Sequence, residues 1–124
     1  MCAPTMAQVA ALEALKSGEN SAIEMVEDYN RRRLVIVRGL NDIGLPCFEP
    51  KGAFYAFPSV KRTGLSSEDF AEKLLTEEKV AVVPGLAFGR CGEGYVRCCY
   101  ATSLTDIEEA LARMKRFVTR HRKR

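Results

Sequence analysis

An arginine at the centre of an otherwise apolar stretch is the feature that most constrains this chain. Residues 92–103 read GEGYVRCCYATS. Five of the seven residues from 95 to 101 are aromatic, β-branched or cysteine, with glycine before and Thr-Ser after, which is the composition of a β-strand. Arg97 sits in the middle of it. A charge in that position is costly unless water or an opposite charge meets it. Strand side chains alternate, so Arg97 shares a face with Tyr95, Cys99 and Ala101, while Val96, Cys98 and Tyr100 point the other way. Two readings follow from the pattern. In one, this is an edge strand whose guanidinium reaches water or pairs with a surface acid. In the other, a planar, permanently charged fork is placed to take a carboxylate in two parallel hydrogen bonds, with small neighbours leaving room for a ligand.

The rest of the chain supplies helices to cover such a strand. Residues 4–16 read as a short helix with Val9, Leu12 and Leu15 on one side, stopped by Ser17-Gly18. A longer helix is predicted over 21–43. Its apolar positions, Ala22, Met25, Val26, Tyr29, Ile36, Val37, Leu40 and Ile43, recur every three or four residues, and Arg33 breaks the stripe. Gly44 ends it and Pro46 prevents its continuation. Phe54, Tyr55 and Phe57 suggest a strand bounded by Pro50 and Pro58. Ser66 with Asp69 caps a helix to about Glu78, with Phe70, Leu74 and Leu75 inward. VAVVP reads as a short buried strand, and GLAFGRCGEG turns the chain into the Arg97 strand. Ser103 with Asp106 caps a last helix lined by Ile107, Leu111, Met114 and Val118. The order is helix, helix, strand, helix, strand, strand, helix. It predicts one mixed α/β domain of the α+β arrangement, with a small, mostly antiparallel sheet and helices packed against it.

The chain's 124 residues suffice for one domain with a modest core. No apolar run approaches the roughly 20 residues a membrane span needs. The N-terminus lacks the basic start and continuous apolar run of a signal peptide, so the cytoplasm is expected. The net charge of +3 misleads, because residues 113–124 hold seven Lys or Arg and no acid, leaving the remainder net acidic. That is a basic end, not a basic body, and nucleic-acid binding is not expected.

Several chemistries lack their parts. Cys2, Cys47, Cys91, Cys98 and Cys99 do not follow metal-site spacings, and the single histidine is His121. They read as reduced, buried, small hydrophobes. Gly85, Gly89, Gly92 and Gly94 join strand to strand, whereas phosphate loops run from strand to helix. A tight turn needing positive φ angles accounts for them. The pairs Glu68-Asp69, Glu77-Glu78 and Glu108-Glu109 read as solvated helix surface.

Taken together and in order, CAPTMAQVAALEAL, YNRRRLVIVRGLNDIGLPC, PKGAFYAFP, VAVVPGLAFG and GEGYVRCCYATSLTDIEEALARM resemble, from end to end, the C-terminal part of class I/II aminotransferases. These are fold-type-I enzymes dependent on pyridoxal 5'-phosphate, in the aspartate, aromatic or methionine aminotransferase group. In that family the arginine of the GxGYxRxxYA strand holds the substrate's α-carboxylate, and Arg97 matches it position for position. The resemblance implies that residues 1–18 are a remnant of the last helix of the large, cofactor-binding domain and that 19–124 form the small domain. It implies an amino-acid and 2-oxo-acid substrate pair, a large domain as partner and a homodimer in the full enzyme. It also implies that the Schiff-base lysine and the main cofactor ligands come from outside this chain, so that the chain alone is inactive. Lys61, in Ser59-Val60-Lys61, is the nearest imitation of the family's Ser-x-x-Lys and reads as a surface lysine. Leu86 stands where the family has serine in PGSAFG. Residues 52–55 correspond to a segment that approaches the active site in the family. An apolar surface is expected where the large domain packs. Two alternatives remain, a standalone module taking small carboxylates through Arg97 and an interaction protein using the basic tail.

Overall fold

The computed structural model describes residues 2–122. Helix α1 spans Thr5–Ser17 and α2 spans Glu19–Asp42, with Gly18 between them. The break predicted at Ser17-Gly18 is there, but it is brief. Gly18 keeps near-helical angles (φ −83°, ψ 0°) and its carbonyl already accepts the Ala22 amide, so α2 starts two residues sooner than its apolar stripe suggests. Gly44, at φ +89°, then turns the chain out of α2.

Strands β1 (Tyr55–Ala56), β2 (Val83–Pro84) and β3 (Val96–Cys99) form a sheet in the order β1-β3-β2, antiparallel throughout. Tyr55 lies opposite Cys99, and Val83 opposite Arg97. The VAVVP strand is shorter than predicted and only half-buried, because it flanks the sheet instead of crossing the core. Helix α3 (Ser67–Glu78) begins at Ser66, whose hydroxyl accepts the Asp69 amide, and α4 (Leu104–His121) begins at Ser103, which accepts that of Asp106.

One face of β3 enters the core. Val96, Cys98 and Tyr100 meet Ile36 and Leu40 of α2, Phe70 and Leu74 of α3, and Ile107, Met114, Phe117 and Val118 of α4. Phe70 and Phe117 pack edge to face with centroids 5.1 Å apart. Gly39 lets α4 approach α2, since a Cβ there would stand 2.4 Å from the Leu111 side chain. Burial of such side chains contributes roughly 1.5–3 kcal/mol each. The start of the apolar stripe of α2 has no such partner: Met25 and Val26 are exposed, as is Ile23 beside them, and no residue of α1 is buried.

Three expectations about side chains need correction. Leu75, expected inward on α3 with Phe70 and Leu74, is exposed, because only the face of α3 carrying Phe70, Ala71 and Leu74 meets the core. Only Cys98 is buried; Cys47 is half-buried and Cys2, Cys91 and Cys99 are exposed, because their segments lie on the open surfaces of the fold. Glu78 is not solvated helix surface but 7% exposed, where Arg116 (2.8 Å) and Arg120 (2.7 Å) meet its carboxylate. Part of the basic end of the chain is therefore matched internally; Lys123 and Arg124 lie outside the described residues.

Candidate functional site

Arg97 occupies the central strand, not an edge, and projects from the face opposite the core. Its guanidinium carbon lies 4.3 Å from the centroid of the Tyr55 ring and 4.7 Å from that of Phe88. Each contact contributes about 0.5–1 kcal/mol at an exposed site. Among the described residues no carboxylate pairs with Arg97 and no hydrogen bond holds it, and none of its nitrogens is sealed away from water. The surface-acid reading therefore has no partner to offer. The rings offer no hydrogen-bond acceptor of their own here, so the guanidinium N–H groups are left for one from outside. That geometry suits a planar carboxylate.

The rings belong to a larger assembly on this face. Phe57 stacks on Tyr95 at 5.8 Å and meets Phe88 edge-on at 6.0 Å. Lys61 Nζ lies 4.9 Å from the Tyr95 centroid, its stem running over Gly94. On the other side of Arg97, Tyr55 contacts Phe54 at 4.7 Å, and Phe54 stacks on Tyr29 of α2 at 5.9 Å. The sequence marked residues 52–55 as a segment without an assigned role; the structure makes Tyr55 one wall of the arginine and Phe54 its link to α2. Phe88 was missed altogether. Its signal was an aromatic residue held between glycines in a loop that feeds the Arg97 strand.

A cleft of about 420 Å³ lies between α2 and the 49–54 segment, lined by Tyr29, Arg33, Glu49, Phe54 and Tyr100 among others. The arginine that broke the apolar stripe of α2 builds this wall: Arg33 pairs with Glu49 and donates to Asn30 Oδ1 at 2.8 Å. The hydrogen bond from Arg33 to the Glu49 carboxylate, and then the Arg33 charge, hold that carboxyl below its ordinary range. The Tyr100 hydroxyl donates to the Ala53 carbonyl at 2.9 Å, pinning a residue whose φ is +58°.

Behind Arg97, the loop over residues 85–94 is fastened to α3. Glu93 accepts from the Ser67 amide at 2.9 Å and from the Ser67 hydroxyl at 2.7 Å. These bonds, the backbone one first, lower the Glu93 pKa. This acid too went unnoticed in the sequence, although Gly92-Glu93-Gly94 isolates it between two glycines.

The residues described do not by themselves fit the pyridoxal phosphate that the resemblance implies. Among the described residues no lysine contacts Arg97: Lys61 covers a tyrosine ring, Lys79 donates to the Thr76 carbonyl, and Lys16, Lys51, Lys73 and Lys115 are exposed. The leading amides of α3 and α4 are occupied by Ser66, Glu93 and Ser103, so neither of those two helix N-termini is open to a phosphate. Among the described residues no cluster of three metal-ligating side chains occurs, and no helix is long and apolar enough to cross a membrane.

Against known proteins, the family described as aminotransferase class I and II matches residues 1–114. A Bacillus subtilis protein, YugH, assigned as an aminotransferase, is 63% identical over 118 residues, covering 95% of this chain and 31% of the relative. The aspartate aminotransferase of Pyrococcus abyssi is 50% identical over 117 residues, covering 93% of this chain and 30% of the relative. The crystal structure of an aromatic aminotransferase from Pyrococcus horikoshii superposes with a TM-score of 0.87 at 50% identity, over 91% of this chain and 31% of that one. The chain thus spans about a third of the length of the curated relatives it matches.

Proposed function

This chain belongs to the class I and II aminotransferase family, and on that premise we propose that it is the C-terminal small domain of such an enzyme, with Arg97 as the clamp for the substrate's α-carboxylate. Residues 19–124 form that domain and residues 1–18 the end of the large domain's last helix. The observation that carries the reading is a guanidinium set against two rings on the open face of the sheet, with no acid of its own among the described residues. A structural arginine would be expected to spend its charge within the fold, as Arg33, Arg116 and Arg120 do.

The clamp's contribution is orientation. Two parallel hydrogen bonds fix the plane of the substrate carboxylate, which limits where the reacting amino group or carbonyl can stand. The rings of Tyr55, Phe57 and Phe88 exclude water from one side of that ion pair and so strengthen it. Pyridoxal phosphate would supply the electron sink for moving an amino group to a 2-oxo acid, held by residues outside those described. The exposed apolar positions of α1 and early α2, including Met6 at 85% and Leu15 at 88%, are the surface the large domain would cover. The full enzyme is read as a cytoplasmic homodimer.

A titration with 2-oxoglutarate, followed by NMR on the wild-type chain and on Arg97→Lys, tests this. Lysine keeps the charge and loses the fork, so the affinity should fall on the order of tenfold to a hundredfold, one charge-assisted hydrogen bond. Equal affinity in the two proteins would overturn the clamp. Mixed with pyridoxal phosphate, an amino acid and a 2-oxo acid, the chain should show no transamination, and enzyme-like turnover would overturn the domain reading.

A further inference from the structure

We propose that Glu93 is a positioning residue for Arg97, acting through the loop that carries Phe88; this deepens the clamp reading and rests on it. Glu93 is the only acid between residues 79 and 105, and it lies four positions before Arg97. Pairing with Arg97 would quench the clamp. The fold sends Glu93 elsewhere. Both carboxylate oxygens are taken by one residue, Oε1 by the Ser67 amide at 2.9 Å and Oε2 by the Ser67 hydroxyl at 2.7 Å. Ser67 is buried and opens α3, so the carboxylate also sits at the positive end of that helix.

The tether has a second consequence. Residues 85–95 form a closed unit: Gly85 N–H donates to the Tyr95 carbonyl at 2.8 Å, Gly92 N–H to that of Gly89 at 2.9 Å, and Tyr95 N–H to that of Gly92 at 3.1 Å. The Gly85 and Gly92 backbones touch, leaving no room for a Cβ on either. A unit built on four glycines has few side chains with which to grip the domain, and Glu93 grips it through two bonds of fixed geometry. Phe88 projects from this same unit onto Arg97 and Phe57. Where Glu93 holds the unit decides where Phe88 covers the guanidinium, and therefore which N–H edges face a ligand.

The test uses the complete chain, labelled with ¹⁵N, and the Arg97 Nε–Hε resonance, assigned by its loss in Arg97→Lys. Ring currents from Tyr55 and Phe88 set that resonance apart from those of exposed arginines. In Glu93→Gln it should move toward the exposed arginines, and the affinity for 2-oxoglutarate should fall on the order of tenfold, the size of one weakened charge-assisted hydrogen bond. Ser67→Ala, which removes only the hydroxyl bond, should give a smaller shift in the same direction and decides the matter if Glu93→Gln does not fold. Asp69→Asn, in the same helical turn, should leave the resonance where it is. A change in stability alone would not move this signal. An Arg97 resonance unchanged in both Glu93→Gln and Ser67→Ala would overturn the proposal. If 2-oxoglutarate produces no Arg97-dependent change in wild type, the clamp reading fails, and the tether is judged on the ligand-free resonance.

Discussion

Replacing Gly92 by alanine should destabilise the domain, for a reason unrelated to backbone angles. A Cβ built on Gly92 would stand 2.0 Å from the Gly85 carbonyl oxygen and 2.5 Å from its carbon, whereas real Cβ contacts essentially never fall below 3.0 Å. The obstacle is backbone, so about 1 Å of main-chain displacement is required, which no rotamer change can absorb. Overpacking of this kind costs about 1–3 kcal/mol. The same displacement strains the Gly85–Tyr95 and Tyr95–Gly92 hydrogen bonds, worth about 1 kcal/mol each. Against this, alanine restricts the unfolded chain and returns about 0.4–1 kcal/mol. The net loss is about 1–3 kcal/mol, which lowers the melting temperature by roughly 4–12 °C in a domain of this size. Gly52→Ala is the control: nothing lies within 4 Å of its Cβ, so only the unfolded-state effect remains and the melting temperature should rise by a few degrees. Thermal unfolding followed by circular dichroism measures both. Equal melting temperatures in Gly92→Ala and wild type would refute the packing argument.

The hydroxyl of Tyr100 should be worth about 1 kcal/mol through its bond to the Ala53 carbonyl; Tyr100→Phe should lower the denaturant midpoint and speed amide exchange around residues 50–54, and an unchanged midpoint would count against it. Glu78 has its pKa lowered, by Arg120 first and then Arg116. A carboxylate held below its ordinary 4.5 stabilises the fold fully above that pH and loses the contribution as pH falls through the folded value. Glu78→Gln should therefore flatten the acid side of the stability profile below about pH 4.5, and a slope as steep as wild type's would sink the assignment. Burial pushes the Cys98 thiol up to about 12, so iodoacetamide at neutral pH should alkylate Cys2, Cys91 and Cys99 in the native chain and spare Cys98 until unfolding. Labelling of all five cysteines at one rate would contradict the burial pattern.

Local patterns in the chain were enough for much of the fold. The caps at Ser66 and Ser103 started their helices where a serine three residues before an acid predicts, because capping is settled within one turn. The alternation around Arg97 placed Val96, Cys98 and Tyr100 in the core and Arg97 outside it, because a strand has only two faces. Other features depend on residues far apart in the chain. Glu78 looked solvated until α4 brought Arg116 and Arg120 against it. The glycines were expected to serve positive φ angles; Gly89 and Gly94 do, at +112° and +80°, whereas Gly85 and Gly92 are needed because two backbone segments touch. The apolar stripe of α2 has the same spacing before and after Arg33, yet Met25 and Val26 are exposed while Tyr29, Ile36 and Leu40 meet the core, since periodicity marks a face without saying what covers it. So it is with the arginine. The sequence by itself determined that a charge stands on one face of a strand; the tertiary structure decided that the strand is central, that Tyr55 and Phe88 lie against the guanidinium, and that Glu93 is turned toward Ser67. Those contacts join segments up to about forty residues apart, and only the packing of helices on the sheet brings them together.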